Sequence, residues 1–183
     1  MQRPYIFMIT KPEKIIKRII KAIGERQSVL LIGNWQEELI NLIKENENAV
    51  TTSRDGVTPS LPQYEDNSFT KIIADYNSFV FNNDLFFKEV RRLLLPSGMI
   101  IVSANCEDGI FDKLIRLFRK DYIKEHGIKR IKPKVLQDQI HDNGFLIDGY
   151  YGYPGRHLLM MAQIQNKEVT TLFASEKQET IVK

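Results

Sequence analysis

Isoleucines at 15, 16, 19, 20 and 23 recur at helical spacing, while Lys14, Lys17, Arg18 and Lys21 fall off that stripe. This 3.6-residue period predicts an amphipathic helix over residues 12–26, with Pro12 suited to its first turn. The pattern then changes. Ser28-Val29-Leu30-Leu31-Ile32-Gly33 is a short, continuous apolar run closed by glycine. Such a run fits a strand buried on both faces, as in a parallel sheet. Leu39, Ile40, Leu42 and Ile43 predict the inward side of a helix from Trp35 to Lys44, and Ala49–Thr52 predicts a second short strand. Residues 53–68 hold Gly56, Pro59, Pro62 and many polar groups, and read as loop.

Phe69–Ala74 predicts the next strand. A helix over about Asp84–Leu95, with Leu85, Phe86, Val90, Leu93 and Leu94 inward, is stopped by Pro96-Ser97-Gly98. Met99–Ala104 is another buried strand. Asp108 is placed to cap a helix to about Lys124, and Pro133 opens one that ends at Asn143-Gly144. Phe145–Tyr150 and His157–Ile164 predict an antiparallel pair around the Gly152-Tyr153-Pro154-Gly155 turn. Residues 1–165 therefore read as one domain and residues 166–183 as a polar, loosely held tail. Strands alternating with helices predict an α/β three-layer sandwich with a mostly parallel sheet and one antiparallel strand from the C-terminal hairpin. In such sheets ligands lie beyond the carboxyl ends of the strands, where strand order switches. That directs attention to the residues just after Ile32, Thr52, Ala74 and Ala104.

Composition narrows the classes. The chain of 183 residues is 43% apolar and 27% charged, values of a soluble globular domain rather than a disordered chain or a coiled coil. No apolar run approaches the roughly 20 residues of a membrane span, and residues 1–20 lack the uninterrupted apolar core of a secretory leader. The single cysteine, Cys106, forms neither an intrachain disulfide nor a cysteine-based metal site, so a reducing cytoplasm is expected. His126, His141 and His157 show no metal-ligand spacing, and no metal is expected. Phosphate-loop, dinucleotide-binding and nucleophile-elbow patterns are absent. The net charge is only +3, but Lys113–Lys134 carries nine Lys/Arg against Asp121 and Glu125. This segment, or the group Lys14–Lys21, is a candidate contact for an anionic partner such as RNA. Tyr150–His157 concentrates tyrosines, Arg156 and His157 at a hairpin, a composition suited to a protein partner.

Two segments carry a family likeness. Leu61-Pro62-Gln63-Tyr64-Glu65-Asp66-Asn67-Ser68-Phe69-Thr70 leads into a strand. Glu89-Val90-Arg91-Arg92-Leu93-Leu94-Leu95-Pro96-Ser97-Gly98 leads from a helix into another, and Gly144-Phe145 precedes a hairpin. In this order they resemble class I S-adenosylmethionine-dependent methyltransferases of the type 11 group, over about residues 28–165. The resemblance implies a Rossmann-like methyltransferase fold and S-adenosylmethionine as cofactor. It implies that the loop Gly33-Asn34-Trp35-Gln36-Glu37 stands where the family has G-x-G-x-G, a degenerate motif that keeps Gly33 alone. It further implies Asp55 as the ribose carboxylate and Thr58 as the adenine contact. The ten or so residues between Thr52 and Leu61 are too few for a helix-plus-strand unit, so the fold is expected to be shorter by about one αβ unit.

Within that resemblance the cofactor-binding candidates are Gly33, Asn34, Trp35, Asp55, Thr58 and Asn77. Methyl transfer is a direct in-line displacement, for which the protein supplies positioning and exclusion of water. Asp75 is the candidate base, with Tyr76 and Asn77 orienting an acceptor. Asn105-Cys106-Glu107-Asp108 is placed to line the same pocket. Two functions follow as expectations: methyl transfer to an acceptor, or a non-catalytic relative whose sheet is a scaffold for protein or RNA. An enzyme requires Trp35 to be turned away from the crevice beyond Gly33 and Ala74; a scaffold requires Trp35 or the 53–68 loop to fill it.

Overall fold

The structure is a computed structural model that describes residues 13–33, 35–53, 61–78, 83–106, 130–153 and 157–165. In chain order the elements are α1 (Glu13–Ile23), β1 (Ser28–Ile32), α2 (Glu37–Glu45), β2 (Ala49–Ser53) and β3 (Phe69–Asp75). There follow a single 3-10 turn (Tyr76–Ser78), α3 (Asn83–Leu93), β4 (Leu94–Cys106), β5 (Arg130–Ile131), α4 (Pro133–Asp142), β6 (Phe145–Tyr153) and β7 (His157–Ile164). All strands join one sheet of order β2-β1-β3-β4-β7-β6. Strands β1 to β4 pair in parallel, and β7 alone is inverted between β4 and β6. This is the predicted architecture: a mostly parallel sheet with one antiparallel strand from the closing hairpin.

Side-chain alternation divides the core into two layers. Val29, Leu31, Ile73, Ile101 and Leu159 pack against the isoleucine stripe of α1 and against Leu39 and Ile43 of α2. Leu30, Ile72, Ile100 and Leu158 pack against Phe87 and Val90 of α3 and Leu136 and Ile140 of α4. Residues Val29 to Ile32 are buried throughout, as a strand covered on both faces demands.

The helix bounds depart from expectation at three places, each for a local reason. Helix α1 stops at Ile23 because Gly24 takes a left-handed φ of 78°. Helix α2 begins at Glu37, so Trp35 precedes it rather than opening it. Helix α3 ends at Leu93, and Leu94 already pairs with Phe69 of β3. Pro96-Ser97-Gly98 therefore does not merely stop a helix. From Phe69↔Leu94 to Lys71↔Met99, β3 advances two residues while β4 advances five, so Leu95–Gly98 bulges out of the sheet. A Cβ at Gly98 would stand 2.8 Å from the Leu95 carbonyl, which is why glycine closes the bulge. On α3, Phe86, Val90 and Leu93 face inward as expected, but Leu85 is exposed and Phe87 takes its place in the core. Ile40 and Leu42 are half-buried rather than inward.

Between β2 and β3 no further helix or strand occurs among the described residues, and β2 pairs only with β1 there. The connection's second half is held chiefly by an Arg92–Glu89 pair on α3. Arg92 donates to the Leu61 carbonyl (3.2 Å), the Tyr64 carbonyl (3.0 Å) and Asp66, and forks onto Glu89 (2.7 Å and 3.0 Å). Glu89 in turn accepts the Leu61 amide at 2.9 Å. At the same amino end of the strands, Thr70 Oγ1 accepts the Ser28 amide and donates to the Ser28 carbonyl, each at 3.0 Å, setting the register of β1 on β3. Asn48, buried, accepts the Gln27 amide (2.6 Å) and donates to the Gly24 and Ile43 carbonyls (3.0 Å each). One amide group thus ties the ends of α1 and α2 to the start of β1.

Two outcomes are expected. Asn48→Ala removes the side-chain partner of the Gln27 amide and of the Gly24 carbonyl, while the Ile43 carbonyl keeps the Asn46 amide at 3.2 Å, and should lower stability by about 1–3 kcal/mol in urea unfolding. The Arg92 guanidinium holds the Glu89 carboxyl below its ordinary value, so Glu89 protonates less readily folded than unfolded. Its contribution is complete above the unfolded pKa and is lost as pH falls through the lower, folded one. Acid unfolding should therefore show a shallower pH dependence in Glu89→Gln than in the parent chain below about pH 4.5, the ordinary value of such a group.

Candidate functional site

Strand order reverses about β1: its chain successor β2 lies on one side and β3 on the other. The crevice of such a sheet opens beyond the carboxyl ends of β1 and β3. At the end of β1 the chain turns at Gly33, whose φ of 112° is favourable only without a side chain. The Gly33 amide donates to the Ser53 carbonyl at 2.9 Å, binding the loop to the last residue of β2. Trp35 then folds back. Its indole N–H donates to the Ile32 carbonyl at 3.0 Å, and its ring joins the apolar layer beneath α1 and α2. It is 8% exposed. The large side chain in the loop is thus turned into the core, and its polar atom is satisfied by the strand it follows.

Four polar side chains are buried among the described residues, and three of them, Ser53, Ser103 and His157, lie at the carboxyl ends of the parallel strands. Register places them. Asp75 of β3 pairs with Ser103 of β4, which pairs with Leu159 of β7, which pairs with Tyr151 of β6. Two residues further along β4, Asn105 pairs with His157 and, on its other side, with Arg130. Because β7 already occupies one edge of Asn105, β5 lies along the edge that β3 occupies lower down, continuing past the end of β3. Asp75, Ser103, Asn105 and His157 fall on the sheet face that α1 and α2 cover: Asp75 and Ser103 share a row with Leu159, one same-face row beyond Ile73 and Ile101, and Asn105 and His157 lie one such row further.

The structure separates two residues that sequence placed together. Asp75 is half-buried on the α1/α2 side, and Asn77 Nδ2 donates to its Oδ1 at 3.4 Å. Tyr76 is 5% exposed and packs in the opposite layer with the α3 and α4 side chains. Asp75 and Asn77 thus share the crevice, while the Tyr76 ring belongs to the core. Asn34, Asp55 and Thr58 lie outside the described residues, as does Arg156. Of the basic segment 113–134, residues 130–134 are described; Lys134 pairs with Asp138 at 2.6 Å. Within the Tyr150–His157 group, Tyr150 is exposed and Tyr151 partly so, but His157 is buried. Its imidazole therefore belongs to the strand-end site rather than to an exposed hairpin surface.

Sequence reading passed over Ser53 and Ser103. A serine at the end of an apolar strand carries no motif. The available signal is positional: Ser103 follows Met99-Ile100-Ile101-Val102 at the carboxyl end of a strand buried on both faces. A cleft of about 180 Å³ adjoins the site, bordered by Gly33 and Trp35 of the loop, Glu37, Ile40 and Lys44 of α2, and Val50 and Thr52 of β2. Among the described residues no group of three or more His, Cys, Asp or Glu is placed to hold a metal ion, and no helix is long and apolar enough to cross a membrane.

No family model matches the chain, and no curated protein matches it. Solved structures do. A S-adenosylmethionine-dependent methyltransferase from Methanosarcina mazei is 17% identical, over 81% of this chain and 98% of that one, with a TM-score of 0.56. The 1,6-didemethyltoxoflavin-N1-methyltransferase of Burkholderia thailandensis, with S-adenosylhomocysteine bound, is 12% identical over 84% of this chain and 78% of that one, with a TM-score of 0.62. A methyltransferase of Haloferax volcanii solved with the activator Trm112 is 11% identical over 82% and 88%, with a TM-score of 0.55. At these identities the likeness establishes the fold: the chain has the Rossmann-like architecture of S-adenosylmethionine-dependent methyltransferases.

The seat of the indole is open to test. Trp35→Phe keeps most of the ring volume and removes the N–H, so it should cost about 1 kcal/mol in urea unfolding. Trp35→Gly empties the seat and should cost about 3–5 kcal/mol.

Proposed function

We propose that the crevice beyond β1 and β3 binds S-adenosylmethionine and that the chain transfers a methyl group to an acceptor held along the strand ends. The observation that carries this reading is the placement of Trp35. The residue that replaces a glycine of the family loop is seated in the core under α2 with its indole on the Ile32 carbonyl, so most of the bulk it brings is taken up by the α1/α2 layer. Gly33 keeps the left-handed turn that a close backbone approach to a ligand requires. S-adenosylhomocysteine in the Burkholderia neighbour supports the same cofactor.

The cofactor would supply an electrophilic methyl group on a sulfonium. The chain supplies position and dryness. The turn at Gly33 and the end of β2 at Ser53 would border the nucleoside end, with Asp55 and Thr58 proposed on the loop that follows. Asp75, oriented by Asn77, is proposed as the base for an acceptor whose proton must leave. Ser103, Asn105 and His157 would fix that acceptor by hydrogen bonds. The basic segment 113–134 is proposed as an additional contact for an anionic acceptor, and the buried free thiol of Cys106 suits a cytoplasmic setting.

A second reading, a scaffold without catalysis, draws on the loop itself: Trp35 and Gln36 stand where bare backbone is expected. The Haloferax neighbour in complex with an activator is a parallel for partner binding by this fold. Titration calorimetry with S-adenosylhomocysteine separates the two. Binding is expected at micromolar strength, roughly −8 kcal/mol. Gly33→Val should weaken it at least tenfold, because a β-branched side chain disfavours the φ of 112°. Absence of heat at millimolar ligand would overturn the methyltransferase reading and leave the scaffold.

A further inference from the structure

We infer that the outer face of α1, together with Tyr151 of β6, is a docking surface for single-stranded nucleic acid. The inference stands apart from cofactor binding, because it rests on a different surface. Lys14, Arg18 and Lys21 follow one another at helical spacing, with Lys17 beside them, and all four are exposed. They lie opposite the stripe of Ile15, Ile16, Ile19 and Ile23, which is buried in the core. Lys17 pairs with Glu13 at 2.6 Å. Lys14, Arg18 and Lys21 have no acidic partner among the described residues. Over seven residues the stripe spans roughly 10 Å of helix.

Charge alone describes an ordinary solvated helix. The second observation is the ring beneath it. The Arg18 guanidinium lies 3.9 Å from the Tyr151 ring centroid, and Tyr151 is 39% exposed. A guanidinium stacked on a tyrosine at the edge of a cationic stripe is a platform for an unpaired base, while the lysines take the phosphates. A duplex offers no free base face. A lipid surface would need the apolar side of α1, which the core already covers. Tyr151 also stands in the same sheet row as Ser103 and Asp75. Three interstrand steps put it roughly 14 Å from Asp75, so a strand seated on α1 leads toward the crevice.

Fluorescence anisotropy with a labelled 15-nucleotide oligouridine tests this. With three or four phosphate contacts, log affinity should fall against log salt with a slope of about −2 to −3, or about 20- to 50-fold between 50 and 200 mM salt. Lys14→Gln with Lys21→Gln should reduce that slope by about 1.4. Tyr151→Leu should weaken oligouridine binding about tenfold while leaving heparin binding unchanged. Circular dichroism and thermal melting establish that each variant folds. No binding at 50 mM salt, an equal affinity for duplex RNA, or an unchanged slope in the double variant would overturn the inference. Oligouridine binding without S-adenosylhomocysteine binding would sustain it while overturning the proposed function, and the reverse result would do the opposite.

Discussion

The end of β1 is the point on which the rest of the structure depends. This strand is buried on both faces, and every neighbouring element is placed relative to it. A strand so enclosed must still satisfy the backbone groups where it ends, since an unpaired buried carbonyl costs about 1–3 kcal/mol. The Ile32 carbonyl takes the Trp35 indole N–H, and the Gly33 amide takes the Ser53 carbonyl. These two bonds fasten the loop to the core on one side and to the edge strand on the other. They also decide what borders the crevice, because the same bond that satisfies Ile32 seats the indole in the α1/α2 layer, where Trp35 also lines the cleft beside Gly33 and Thr52.

The short connection between β2 and β3 poses a related problem. A chain that leaves the end of β2 must cross to the other side of β1 and cover the apolar layer that α3 and α4 build. Leu61, Tyr64 and Phe69 do so, with Tyr64 and Phe69 meeting edge to face at 5.4 Å. Turn carbonyls are poor company for a core unless they have donors. Arg92 supplies them from α3, and Glu89 balances its charge. The second half of the crossing is thus kept on the α3 side by an arginine fork.

Much of the fold was legible because it rests on periodicity. The apolar runs 29–32 and 99–102 and the isoleucine stripe 15–23 each have one reading that buries them, and the structure adopts it. Boundaries were less legible where one residue serves two elements. Leu94 has a helical spacing from Val90 yet pairs with Phe69, and only the bulge at Leu95–Gly98 reconciles the two. Trp35 fitted a helix start by position, but a buried carbonyl three residues earlier outbid that role. At the candidate site, Asp75 and Asn77 were recognisable as residues following a strand. Ser103 and His157 were not, because register across three strands, not local sequence, brings Ser103 into the row of Asp75 and His157 onto the same face two residues beyond. Asp55 and Thr58 rest on the family resemblance alone.

Trp35 is the only tryptophan in the chain, so its seat can be read directly. In a nitrogen–proton correlation spectrum there should be one indole resonance. The account predicts that its N–H exchanges slowly with solvent, and that S-adenosylhomocysteine shifts the Gly33 amide while the indole proton stays protected. An indole that exchanges as fast as a free side chain, or a Gly33 amide unmoved at saturating ligand, would contradict it.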